Sequence, residues 1–142
     1  MQLRSATAYD LDLLAGMNHR LIEDEKSSNP MDLEQLRERM RGWLESNYHA
    51  VLLEDTHEVI GYALYRVEDE TLGERCVVYL RQFFIKKVYR RKGLGRKAFA
   101  ELRRTYFVDA LVRLEVLTTN PDGLAFWKSL GFEPYAVTMG LK

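Results

Sequence analysis

The stretch most suited to chemistry runs Phe83-Phe84-Ile85-Lys86-Lys87-Val88-Tyr89-Arg90-Arg91-Lys92-Gly93-Leu94-Gly95-Arg96. An apolar strand ends, a basic loop follows, and two glycines open an amphipathic helix. At a helix start the first backbone N–H groups have no partner inside the helix, and the macrodipole adds roughly half a positive charge. Glycine lets a phosphate reach such a backbone because no Cβ stands in the way. Lys86, Lys87, Arg90, Arg91, Lys92, Arg96 and Lys97 surround the point. The segment therefore suits a dense polyanion such as a pyrophosphate. It lacks the Gly-x-x-x-x-Gly-Lys-Ser/Thr of a nucleotide-hydrolysing loop and the third glycine of a dinucleotide fingerprint. The bland alternative is a solvated basic helix start.

Strands and helices of definite type must hold this loop. Residues 2 to 6 read as an opening strand. Asp10 leads a helix with Leu11, Leu14, Met17, Asn18, Leu21 and Ile22 on one face, and Asp32 caps a second with Leu33, Leu36, Met40, Trp43 and Leu44 inward. Residues 48 to 54 and 59 to 67 flank a hairpin turn, and 77 to 85 form a longer strand. A helix over 93 to 107, a strand over 111 to 117, a helix over 122 to 130 and one or two closing strands over 132 to 141 complete the chain. The order is βααβββαβαβ(β), an α/β (α+β) arrangement with helices flanking a mixed, mostly antiparallel sheet of six to seven strands.

The length of 142 residues fits a single domain spanning the whole chain. Lys plus Arg and Asp plus Glu balance at 21 each. That balance, with no regularly spaced aromatics beside the basic loop, speaks against nucleic acid as partner. Cys76 is the only cysteine, the N-terminus lacks an apolar leader, and no run reaches the ~20 apolar residues of a membrane span. The expectation is a cytoplasmic protein with no membrane partner. His19, His49 and His57 show no metal-ligand spacing, so no metal is expected.

Arg90-x-x-Gly93-x-Gly95, between an apolar strand and an amphipathic helix, resembles the pyrophosphate-binding motif of the GNAT superfamily of acetyl-CoA-dependent N-acetyltransferases. Leu3-Arg4-x-Ala6-Thr7-x-x-Asp10 resembles its opening strand and helix, and Ile60-Gly61-Tyr62 its third strand. Asn120, Ala125-Phe126-Trp127 and Gly131-Phe132 resemble its C-terminal motif. The resemblance covers nearly the whole chain, with its pieces in the family's order.

The resemblance implies the GNAT fold and acetyl transfer from acetyl-CoA to an amine by direct attack in a ternary complex. It places the main chain of Phe83, Phe84 and Ile85 along the pantetheine arm. The loop Arg90, Arg91, Lys92, Gly93, Leu94, Gly95 and Arg96 would take the pyrophosphate, with Arg90 and Arg96 assisting. Asn120 and Trp127 would lie near the pantetheine; their alternatives are a helix-start residue and plain core. Trp127 stands where many members have a tyrosine that protonates the departing thiolate, and an indole is no practical acid at neutral pH.

Where some members carry a carboxylate on the central strand, this chain has Tyr79-Leu80-Arg81-Gln82. Tyr79, through an ordered water, and Glu115, on the polar side of its strand, are the candidates for proton transfer. Glu23, Asp24 and Glu25 would border the acceptor and attract a small cationic amine such as a polyamine or aminoglycoside. Arg81 would pair with one of those acids or clamp an acceptor's carboxylate. The rivals are a peptide or protein amine as acceptor, a non-catalytic acyl-CoA sensor of the same fold, and a nucleic-acid-binding module. Many relatives dimerise, which leaves a homodimer open.

Overall fold

Two reciprocal caps start the N-terminal helices. In the computed structural model, which describes the whole chain except the side chain of Glu70, Thr7 accepts from the Tyr9 amide and Asp10 from the Thr7 amide. The chain thereby turns through a 3-10 turn at Ala8–Asp10 into α1, Leu11–Asp24. Asp32 accepts from the Gln35 amide at 2.8 Å while Gln35 accepts from the Asp32 amide at 3.0 Å, and α2 runs Leu33–Leu44. Each box satisfies amides that a helix start leaves unmatched.

The strands β1 (Gln2–Ser5), β2 (Tyr48–Asp55), β3 (Glu58–Leu72), β4 (Arg75–Ile85) and β5 (Leu111–Arg113) form one sheet in that order. The first three junctions are antiparallel and the β4–β5 junction is parallel. Parallel neighbours need a crossover, supplied here by α3, Leu94–Thr105. A last helix, α4, spans Pro121–Ser129. Strand alternation gives the sheet two apolar faces. Leu14, Met17 and Met40 of α1 and α2 meet Leu52, Tyr62, Leu64 and Phe84 on one. Ala98, Phe99 and Leu102 of α3 meet Leu53, Ile60, Ala63 and Leu80 on the other.

The expected element order holds as far as α4, and the closing strands do not. Residues 132 to 142 carry no strand, so the sheet has five strands rather than six or seven. Tyr135, Val137, Met139 and Leu141 alternate as a strand would, yet are 71, 85, 88 and 102 % exposed. Pro134 brings no amide to a ladder, and β5 stops at Arg113 instead of 117, so the chain offers this tail no long edge.

One irregularity re-aims the central strand. Leu64 faces Gln82 and Tyr65 faces Leu80, which makes Arg81 the extra residue of a bulge on β4. Before it Leu80 points to the α3 side; after it Phe83 does, while Phe84 packs beneath α1. Such a bulge resets which side chains share a face.

Close approach of β3 and β4 is enforced at Gly61, where a Cβ would sit 1.9 Å from the Phe84 carbonyl oxygen. Gly16, inside α1, would place a Cβ in open space. Gly61→Ala should therefore cost about 3 kcal/mol of unfolding free energy, whereas Gly16→Ala should gain about 1 kcal/mol. Urea titrations that gave both changes the same sign would contradict this packing.

Candidate functional site

The sheet parts where β4 leaves β5. Their ladder pairs Val77 with Leu111, Val78 with Val112 and Tyr79 with Arg113, then ends. From Leu80 to Ile85, β4 is laddered to β3 alone, so its other edge opens into a fork. Burial accounts for the side chains there: Phe84 lies under α1, Ile85 in the α3 core, and Phe83 stacks on Phe126 at 6.1 Å and meets Trp127 edge-on at 5.3 Å.

Beyond β4 the loop rises through a 3-10 turn at Lys87–Tyr89 and enters α3 with Arg91 and Gly93 in the left-handed region, at φ 63° and 74°. The first amide of α3 with an internal acceptor is that of Lys97, donating to the Gly93 carbonyl at 3.1 Å. Among the described residues the amides of Arg91 through Arg96 have none. A Cβ on Gly95 would lie 3.2 Å from the Phe126 ring and 3.8 Å from Ile85, so this glycine seats the helix start against the strand.

Two side chains expected to reach a diphosphate are engaged elsewhere. Arg90 donates from Nε to the Ile85 carbonyl at 2.7 Å, pairs with the Asp24 carboxylate and lies over the Phe84 ring. Arg96 donates to the Ser129 carbonyl and hydroxyl at 3.1 and 3.2 Å. Arg91 and Lys92 stand exposed beside the free amides.

At the base of the fork the Tyr79 hydroxyl donates to Glu115 Oε1 at 2.7 Å, and Thr138 donates to Oε2 at 3.2 Å. Burial, then this bond to Glu115, pushes the Tyr79 phenol up to about 12. The residue is therefore a protonated donor at neutral pH. Trp127 sits half-buried among Phe83, Phe99, Phe126 and Phe132, with centroids 4.9 to 5.4 Å away. Asn120 uses Oδ1 to accept from the Gly123 amide at 3.1 Å, capping α4. It fills the helix-start role.

The acids ending α1 have separate fates. Glu23 turns outward to His19 at 3.3 Å, and Asp24 holds Arg90. Glu25 is half-buried; desolvation, then the neighbouring Asp24, raises its carboxyl above the usual range. Its main-chain carbonyl accepts from Thr119 at 2.6 Å. The end of α1 is thus tied to both arms of the fork, to Arg90 beyond β4 and to Thr119 beyond β5.

A family model described as Acetyltransferase (GNAT) family matches residues 17–132. The chain belongs to that family. The fold has close counterparts among solved structures. A possible acetyltransferase from Clostridium difficile 630 superposes with a TM-score of 0.81 at 20 % identity, over 99 % of this chain and 95 % of that one. The aminoglycoside N-acetyltransferase AAC(6')-Iy in complex with CoA gives 0.76 at 15 % identity, over 99 % and 93 %. An aminoglycoside acetyltransferase from an uncultured soil metagenomic sample, in complex with sisomicin, gives 0.71 at 16 %, over 99 % and 95 %. Comparison with curated proteins finds no match. Among the described residues no helix is long and apolar enough to cross a membrane.

In this GNAT acetyltransferase, Arg81 has company that sequence reasoning did not find. Its guanidinium lies 4.8 Å from the Trp43 ring centroid and donates to the Tyr48 hydroxyl at 3.3 Å. Arg39 covers the same indole at 4.4 Å and donates to Asn18 at 3.2 Å. Tyr62, fully buried, donates to Gln82 at 2.8 Å. These residues come from several elements, and no local spacing links them; only the arginine inside a strand signalled a special environment.

Glu25 yields a prediction whose sign follows from linkage. A carboxyl with a raised native pKa favours folding while protonated, and that contribution is lost as pH rises through the native value. Glu25→Gln should thus stabilise the protein at neutral pH, with the gain shrinking as pH falls toward the ordinary value of 4.5. A pH series of urea midpoints showing a loss at neutral pH would contradict the burial of this charge.

Proposed function

We propose that this chain transfers an acetyl group from acetyl-CoA to an amine by direct attack within a ternary complex. The reading is carried by the fork, with an unladdered edge from Leu80 to Ile85 and free amides from Arg91 to Arg96 at its upper end. The amide-bearing pantetheine arm suits an open strand edge, as an added strand would. A diphosphate suits the amides of Arg91, Lys92, Gly93, Leu94, Gly95 and Arg96, with Arg91 and Lys92 adding charge. Gly93 leaves the approach open, since nothing lies within 4 Å of its would-be Cβ. A relative crystallised with CoA supports the cosubstrate, and relatives that act on aminoglycosides support a small-molecule amine.

Acetyl-CoA supplies the activated acyl carbon. The amine nitrogen bonds to that carbon, the carbon–sulfur bond breaks, and coenzyme A departs as thiolate. A thiol pKa of about 8.5 makes this departure feasible without a dedicated acid, so Trp127 need only pack. An amine of pKa about 10 is neutral in roughly one molecule in a thousand at neutral pH, which gives a proton acceptor work to do. The Tyr79–Glu115 pair suits this proton transfer. The phenol passes its proton to Glu115 while its oxygen receives one from the amine or an intervening water. A free β4 amide supports the oxyanion.

The cationic acceptor expected from the acid triplet loses support, because Glu23 faces His19 and Asp24 holds Arg90.

Isothermal titration with acetyl-CoA on the wild type, Gly93→Asn and Gly93→Asp tests the loop. Asparagine tolerates the left-handed backbone, while aspartate adds a charge facing the free amides. Binding should weaken at least about tenfold more in Gly93→Asp than in Gly93→Asn. Tyr79→Phe should keep that affinity and lower kcat about a hundredfold. No binding by the wild type, or equal binding by both Gly93 variants, would overturn the reading; unchanged kcat would remove Tyr79 from it.

A further inference from the structure

The face of the sheet under α1 and α2 holds more guanidinium than it balances. Arg39 and Arg81 both lie over Trp43, at 4.4 and 4.8 Å, and neither has a carboxylate partner among the described residues. Their neighbours accept weakly: Arg81 has the Tyr48 hydroxyl, which also accepts from Arg66 at 3.1 Å, and Arg39 has the Asn18 carbonyl. Among the described residues two polar atoms there are buried without a partner, Arg39 Nε and Asn18 Nδ2, and Asn18 itself is 0 % exposed. Buried donors left unmatched are costly and uncommon in native proteins. Both orphans are donors, so the surroundings of Arg39 are short of acceptors. The mutual repulsion of Arg39 and Arg81 asks for a negative charge.

The position of this cluster matters as much as its charge. Arg81 is the bulged residue of β4, two places beyond Tyr79, where the ladder to β5 ends. The bulge lets Arg81 and Gln82 serve the same face in succession, and Arg81 is exposed. Glu25, at the end of α1, is half-buried, and its carboxylate has no hydrogen bond or ion pair among the described residues. Two guanidinium groups without a carboxylate of their own suit an anionic group on the acceptor.

We infer that the acceptor amine bears a carboxylate, held by the guanidinium groups of Arg81 and Arg39. The chemical class is a small amino acid or a related amine with a free acid. The planar fork of arginine matches a carboxylate in two-point contact, and both guanidinium groups pack on the Trp43 ring. This specificity rests on the acetyl-transfer reading above, and Arg81 and Arg39 are binding residues within it. A polyamine meets the opposite condition, with repulsion from both cations.

The test is thiol release from acetyl-CoA with matched acceptors: free amino acids, their C-terminal amides, and spermidine. The wild type should acetylate the best free acid with kcat/KM at least about tenfold above its amide. Arg81→Gln and Arg39→Gln should each bring that ratio toward one while leaving acetyl-CoA affinity, read by calorimetry, unchanged. Arg81→Lys, which keeps charge without the fork, should fall between. In parallel, calorimetry of the N-acetylated acid in the presence of CoA reads the same recognition without turnover, and Arg81→Gln should abolish it. Preference for amides or spermidine, or an acid-to-amide ratio unmoved by Arg81→Gln, would overturn the inference and leave acetyl transfer standing. So would acetyl-CoA binding with no carboxylate-bearing amine either acetylated or, as its N-acetyl product, bound. Failure to bind acetyl-CoA at all would overturn the transferase reading, and this one with it.

Discussion

An unfinished ladder between β4 and β5 shapes the functional end of this sheet. Backbone N–H and C=O groups inside a sheet are ordinarily matched, and leaving a row of them facing a gap is unfavourable unless water or a ligand completes it. In this chain the parallel pairing of β4 and β5 stops after Tyr79 and Arg113. The gap is held open from several sides. Phe83, Phe126 and Trp127 fill its α3 side with rings rather than backbone. Gly95 lets the start of α3 sit against Ile85. The end of α1 reaches across to Arg90 on one arm and Thr119 on the other.

Charge is distributed with a division of labour. The arginines of the loop that looked free, Arg90 and Arg96, fasten the loop to Ile85, Asp24 and Ser129. What faces outward from the loop is mainly backbone amide, a donor fixed in direction by the fold and insensitive to side-chain motion. Arg39 and Arg81, which have no carboxylate partner among the described residues, lie instead on the α2 face beside the bulge. Net neutrality of the whole chain, with 21 basic and 21 acidic residues, conceals this separation.

Local rules carried the reading of the sequence a long way. The cap at Asp32, the apolar stripes of α1 and α2, and the two-glycine helix start are set by residues within a turn of one another, and each stands where the spacing placed it except Leu33, which is exposed instead of inward. The hairpin turns and the parallel crossover follow from the same reasoning. The closing strands failed because alternation at Tyr135, Val137, Met139 and Leu141 describes a strand's faces without supplying an edge to pair with. The bulge at Arg81 was invisible for a related reason: register is a relation between two strands, and β4 alone does not contain it. Tyr79 and Glu115 were singled out separately and meet in the fold, 36 positions apart. Asn18 and Trp43 read as ordinary helix-face residues and nothing local marks Arg39 or Tyr48; only the packing of α2 against the sheet brings the four together.

Amide hydrogen exchange with and without acetyl-CoA addresses the open edge most directly. Residues 80 to 85 and 91 to 96 should slow markedly on addition of the ligand, while the already paired β2–β3 hairpin changes little. Protection that rose only elsewhere, with those two segments exchanging as before, would mean that the fork and its loop do not receive the coenzyme.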